Sequence, residues 1–297
     1  MTSEAMTPTI TPATALLSGV MPHPAPGFAP FWFRNERIGA VSPGWIDRLD
    51  PQLFHVEHRP GSPLPHVALR GVDRRRDASI VPIESINQAL QRWAERLRDA
   101  GVLPGYRDES ILIYGAGEAQ PLFRIERALL RPLGLLLRTV QLNVFVLEER
   151  RLSIWVARRS ISKAVDPGRL DCLVGGGIRG GDTPLSTLLR ECHEEAGISR
   201  QLARRANPVG VIDSIAPAGD VAGTVIHRER AMLYDLKVAP DFRPQLVDGE
   251  VEEAALLEAE VVNQQIAAGY WTAEGAWAAG DLIRRLGSGS EAPLGGR

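Results

Sequence analysis

The chain has 297 residues, 44% of them hydrophobic and 24% charged, enough to bury a sizeable core and to make two domains. Lys and Arg number 34 against 36 Asp and Glu, and the resulting formal charge of −2 lacks the basic footprint of a general nucleic-acid or membrane-surface binder. The only cysteines, Cys172 and Cys192, give no disulfide framework and fit a reducing cytosol, so a cytoplasmic protein is expected.

Residues 1–26 are rich in Pro, Thr and Ala and carry no Lys or Arg, the first being Arg34. They lack the basic region of a secretion signal and read as a disordered tail. No apolar run reaches the ~18–20 residues that span a bilayer. The strongest, 129–137, is interrupted by Arg131, Pro132 and Gly134.

Residues 27–135 mix short strands with one clear helix, in which Ile86, Leu90, Trp93 and Leu97 recur at helical spacing, and read as a small α+β domain. The run Arg74, Arg75, Arg76 reads as a solvated loop. His55 and His58 read as structural histidines, because no cysteine or second histidine pair accompanies them.

A second domain is expected over 136–288, ahead of a tail at 289–297. Val140, Leu142, Val144 and Val146 alternate, as do Leu152, Ile154 and Val156, predicting two strands joined by a turn near Glu149 and Arg150. A further strand leads into a glycine loop containing Gly175, Gly176, Gly177, Gly180 and Gly181. These glycines are expected to take positive φ and let the backbone approach a phosphate. Asp182 and Thr183 before Pro184 predict a helix start, and Gly197 stops that helix after Ala196. Strands near 209–215, 231–238 and 251–257 follow, then two helices, the last carrying Trp277, Leu282 and Leu286. The order suggests a mixed sheet between helices, an α/β fold.

The chemistry concentrates on the helix after the glycines. Glu191, Glu194 and Glu195 stand at i, i+3 and i+4, within one turn of one face. Like charges so placed cost about 0.2–0.5 kcal/mol per pair, and a hard divalent cation such as Mg²⁺ or Mn²⁺ reverses that sign. Arg190 precedes Glu194 by four residues, the weaker order for helix stability, and is expected to orient a carboxylate.

This stretch, Gly176-x5-Asp182-x7-Arg190-Glu191-Cys192-x-Glu194-Glu195-x-Gly197-Ile198, resembles the signature of the Nudix hydrolases. It departs from that signature at Asp182, where the family has Glu, and at Cys192, where it has an aliphatic residue. Asp182 is therefore expected to brace Arg190 or the helix start, and Cys192 to pack inward. The resemblance implies an α/β/α sandwich with a mixed sheet, and Mg²⁺ or Mn²⁺ held by Glu191, Glu194 and Glu195 for hydrolysis of a small-molecule diphosphate. The charge balance and the lack of a long apolar run predict no nucleic-acid or membrane partner, and the sequence leaves the oligomeric state open.

A narrower resemblance rests on Trp155-Val-Ala-Arg-Arg-Ser-Ile-Ser-Lys163, Pro167-Gly-Arg-Leu-Asp171, Val174-Gly-Gly-Gly177, Tyr234-Asp-Leu236 and Asp248-Gly-Glu-Val-Glu-Glu253. These look like Nudix proteins related to the N-terminal part of fungal thiamine pyrophosphokinase, which carry a small domain of unknown function ahead of the Nudix region. Near 141–144 that group has His-x-Asn-Gly, from which Gln141-Leu142-Asn143-Val144 departs. The resemblance implies metabolite repair: hydrolysis of thiamine diphosphate and, better, of oxothiamine and oxythiamine diphosphates to the monophosphate and phosphate.

Arg158, Arg159 and Lys163, leaving a strand together, are candidate phosphate contacts beside Gly175, Gly176 and Gly177, although each also fits a solvated strand end. Trp155 either stacks on a heteroaromatic ring or packs under a helix. The general base is one of the helix glutamates or a carboxylate of Glu250, Glu252 and Glu253. On an alternating strand Glu250 and Glu252 share a face and Glu253 points away. Alternatives are a Nudix pyrophosphatase for NADH or ADP-ribose, an isomerase of the isopentenyl diphosphate type, and a catalytically silent ligand sensor.

Overall fold

A computed structural model describes residues 27–58, 60–117, 120–162, 166–246 and 249–287. The tails expected at 1–26 and 289–297 and the candidate Lys163 lie outside the described residues. The chain divides into two compact units, one of residues 1–137, 179–181 and 213–230, the other of 138–178, 182–212 and 231–297.

The first unit opens with β1 (Ala29–Phe33), β2 (Glu36–Val41), the single turn α1 (Pro43–Ile46), β3 (Phe54–Glu57) and β4 (His66–Leu69), which form a sheet in the order β2-β1-β4-β3. β1 runs parallel to β4 and antiparallel to β2. Helix α2 (Ile83–Asp99) follows, burying Ile86, Leu90 and Trp93 as their spacing predicts, and then the hairpin β5 (Ser110–Tyr114) and β6 (Pro121–Glu126). Trp93 meets Phe54 edge-on at 5.1 Å, and Phe54 lies 5.8 Å from Phe31, so aromatic rings join helix to sheet. His55 accepts or donates a 2.8 Å hydrogen bond with Asp77, the structural role its sequence context suggested.

The second unit is built on a sheet in the order β11-β12-β7-β8-β13, from β7 (Leu136–Glu148), β8 (Arg151–Arg159), β11 (Asn207–Asp220), β12 (Gly223–Lys237) and β13 (Val251–Glu258). Two short strands attach to it, β9 (Leu170–Cys172) on β8 and β10 (Val174–Gly177) on β7. The β7–β8 turn uses Glu149 at φ 48°, the left-handed conformation a two-residue hairpin needs.

Alternation along the strands sorts side chains to two faces. Leu142, Val144, Val146, Trp155 and Ala157 pack with Leu188, Leu189, Cys192 and Ala196 of α3 (Pro184–Ala196) and with Ala203 of α4 (Arg200–Ala203). Phe145, Leu152, Ile154 and Val156 pack with Val262 of α5 (Ala259–Ala267) and with Ala279 and Leu282 of α6 (Ala273–Gly287). Each large apolar side chain so buried contributes roughly 1.5–3 kcal/mol. The unit is an α/β/α sandwich, with α3 on one face of the sheet and α5 and α6 on the other. β11 and β12 are longer than expected, and their outer halves, 213–230, belong to the first unit.

Candidate active site

Helix α3 starts where its local chemistry says. Thr183 accepts from the Ser186 backbone N–H at 3.1 Å while Ser186 Oγ accepts from the Thr183 N–H at 2.8 Å, a reciprocal cap ahead of Pro184. It ends at Gly197 (φ 61°), whose N–H donates to His193 O while Ile198 N–H donates to Cys192 O. Asp182 is not the cap. Its carboxylate lies 3.8 Å from Arg190, the brace expected of it.

The three glutamates of α3 have different partners. Arg190 bridges Glu191 at 2.9 Å and Glu194 at 3.1 Å, so it orients two carboxylates. Partial burial opposes the Arg190 charge, but Glu191 and Glu194 more than offset that and raise its pKa. Glu195 is buried, and its Oε2 accepts the backbone N–H of Gly175 at 2.9 Å. Cys192 packs inward as expected, and burial together with Glu195 and Glu191 pushes its thiol up to about 12.

The glycines depart from the expected loop. Gly175, Gly176 and Gly177 are strand, paired with Gln141, Val140 and Thr139 of β7, and of the five glycines only Gly181 takes positive φ, 93°. Their missing side chains serve close approach instead. A Cβ on Gly176 would overlap the Glu191 carboxylate, and one on Gly175 would come 2.7 Å from Gln141 Oε1. This absence of Cβ atoms lets the α3 carboxylates lie on the strand backbone. The donor set is all oxygen, which suits a hard divalent cation.

The candidate cations separate by strand parity. Arg159 shares the α3 face with Trp155 and Ala157, and donates to Asp171 Oδ2 at 3.1 Å. Arg158 points to the α5–α6 face, where it donates to Gly168 O at 3.1 Å and lies 3.5 Å from Glu253. Arg158 and Glu253 are therefore not beside α3, because adjacent strand residues face opposite ways.

A bulge overturns the parity expected for the later glutamates. Val251 pairs with Arg159 and Glu253 with Arg158, so Glu252 is the extra residue. Its Oε1 accepts the Ile161 backbone N–H at 2.9 Å and pins the turn after β8. Glu250, just before the strand, lines a pocket of about 40 Å³ with Gln141, Arg159, Asp171, Gly175 and Glu195. Trp155 is buried, edge-on to Phe242 at 6.1 Å, and is a core residue that presents no open ring face to a ligand. The residues missed as site candidates are Gln141 and Asp171. Asp171 stood within a quoted motif, and Gln141 at a position where the narrower resemblance fails.

A family model described as the NUDIX domain matches residues 137–274. Among curated proteins, the chain is similar to Nudix hydrolase 24, chloroplastic, of Arabidopsis thaliana, 35% identical over 239 residues covering 80% of this chain and 61% of that protein. It is also similar to Nudix hydrolase 20, chloroplastic, of the same plant, 34% identical over 183 residues covering 58% of this chain and 48% of that protein. An uncharacterised Saccharomyces cerevisiae protein is 28% identical over 170 residues, 54% of this chain and 49% of its own length. The chain thus spans between about half and three fifths of the length of these three relatives. The carboxylate helix, its glycine strand and most of the sheet that carries them fall within the stretch that matches the NUDIX domain model.

Proposed function

We propose that the protein is a divalent-metal-dependent hydrolase of a small-molecule diphosphate. The observation that carries this reading is α3 laid against β10, with Glu191 over the Cβ-less Gly176 and Glu195 anchored on the Gly175 N–H. Glu191, Glu194 and Glu195 would hold Mg²⁺ or Mn²⁺. When bound, such an ion supplies charge neutralisation on the diphosphate and a bound water of lowered pKa.

The remaining steps belong to the chain. Arg190 keeps Glu191 and Glu194 aligned, and Arg159, steadied by Asp171, offers a guanidinium to a phosphate oxygen. We infer that Glu250 takes the proton from the attacking water, since it lines one pocket with Glu195. Water oxygen bonds to phosphorus and the bridging P–O bond breaks, its electron pair leaving on the departing phosphate.

For the substrate, we infer thiamine diphosphate and, with higher kcat/KM, its oxothiamine and oxythiamine forms. Support comes from the resemblance of residues 155–177 to the thiamine pyrophosphokinase-related proteins, not from a ring-binding surface. The test is phosphate release by the purified full chain with Mg²⁺ across thiamine diphosphate, its oxidised forms, NADH, ADP-ribose and isopentenyl diphosphate. Fastest turnover of an oxidised thiamine diphosphate, abolished by chelator and restored by Mg²⁺, is the expected result. Faster hydrolysis of NADH or ADP-ribose removes the thiamine assignment, and isomerisation of isopentenyl diphosphate or binding without turnover removes the hydrolase.

A further inference from the structure

Gln141 is only 8% exposed, yet its Oε1 has no hydrogen-bond partner among the described residues. A buried acceptor left without a donor costs about 1–3 kcal/mol, so this oxygen is expected to meet a water. The position is set by backbone pairing, since Gln141 stands opposite Gly175 across β7 and β10. Glycine there leaves room for the amide, since a Cβ on residue 175 would come 2.7 Å from Oε1 and 3.1 Å from Nε2. The same Gly175 donates its N–H to Glu195. The amide and the buried glutamate are thus registered to each other through one residue.

Gln141 lines the pocket it shares with Glu195, Glu250, Arg159 and Asp171. At about 40 Å³ the pocket exceeds the ~10–15 Å³ that one water needs, and its walls offer the two to four polar partners that hold a buried water. It is too small for a heterocycle. A water there that donates one O–H to Gln141 Oε1 and the other to a glutamate carboxylate directs its lone pairs away from both.

We propose that Gln141 is a positioning residue that orients the attacking water. The inference rests on the hydrolase reading above. In the step it serves, the water O–H that faces Glu250 transfers its proton to that carboxylate as the oxygen bonds to phosphorus, and the bridging oxygen leaves with the P–O electron pair. Gln141 keeps its own hydrogen bond throughout and exchanges no proton. Such geometry is worth a large rate factor, since a misplacement of about 1 Å costs on the order of 10²-fold.

The experiment compares wild-type full chain with Gln141→Met, an unbranched side chain of similar reach without the amide acceptor. A high-resolution crystal structure of the wild type should show an ordered water within hydrogen-bond distance of the Gln141 amide and of Glu250 or Glu195, absent from the variant. The variant should melt close to the wild type, because an apolar side chain occupies the same space and only a hydrogen bond to water is lost. With the best diphosphate of the panel, kcat should fall roughly 10²-fold while KM stays within about threefold, the pattern of an interaction made in the transition state alone. An active wild type with no such water, or an unchanged kcat in the variant, overturns the role of Gln141 and leaves the hydrolase standing. A wild type inactive on every diphosphate overturns the hydrolase reading and the attacking role of the water with it.

Discussion

Glu191, Glu194 and Glu195 share one helix turn but stand in three environments, and their substitutions should differ accordingly. Glu195→Gln keeps an acceptor for the Gly175 N–H, so the fold should hold while turnover falls by about 10²-fold or more through loss of charge. Glu194, 45% exposed, should show the same loss on change to Gln, with no effect on melting temperature. Near-wild-type turnover of both variants at saturating Mg²⁺ would remove the proposed role of α3. Gly176→Ala tests the close approach, because the new methyl must displace the Glu191 carboxylate, and activity should drop far more than stability. Asp182→Glu restores the commoner signature residue beside Arg190, and activity should change by less than about tenfold. A larger loss in steady-state assays would place Asp182 in direct contact with the reacting groups.

At the scale of elements, α3 has both ends set by local chemistry. Thr183→Ala removes the acceptor for the Ser186 N–H and should cost about 1 kcal/mol in urea unfolding, with kcat little changed. Gly197→Ala forces a side chain into φ 61° and brings its Cβ to 2.8 Å from that of Gln245, so its cost should exceed the ~1–2 kcal/mol of the left-handed conformation alone. These boundaries were legible in the residues because caps act over three or four positions. The bulge at Glu252 was not. It depends on the pairing of β13 with β8, and it decides which glutamate reaches the pocket, a question that alternation along one strand answers wrongly.

For the molecule as a whole, the chain order of the two units conceals that 213–230 returns to the first. Val225 is fully buried in that unit's core, Ser42 Oγ donates to Thr224 O at 2.8 Å, and Trp45 Nε1 donates to Asp220 at 3.0 Å. Arg228 donates to Ile38 O at 3.1 Å and Gly134 O at 2.9 Å, and burial, with Arg37 adding to it, lowers its pKa to about 10. A fragment of residues 138–297 would expose Val225 and leave Arg228 without these acceptors, so it should aggregate or melt well below the full chain in size-exclusion and calorimetric measurements. A soluble fragment of unchanged melting temperature would show that the hairpin does not need the first unit. In the full chain, Arg228→Ala leaves two carbonyls without their donor and should cost about 2–4 kcal/mol in denaturant unfolding.

Spacing along the chain determined the α/β character, the extent of α3, the inward packing of Cys192, and the three glutamates on one turn, because helix period and capping are properties of a few neighbouring residues. Tertiary structure alone decided that Gly175, Gly176 and Gly177 are a strand, that Arg158 and Arg159 face opposite ways, that Trp155 is core, and that Gln141 and Glu250 line one pocket. Those outcomes follow from which strand pairs with which and in what register, and a shift of one residue in register reverses every side chain.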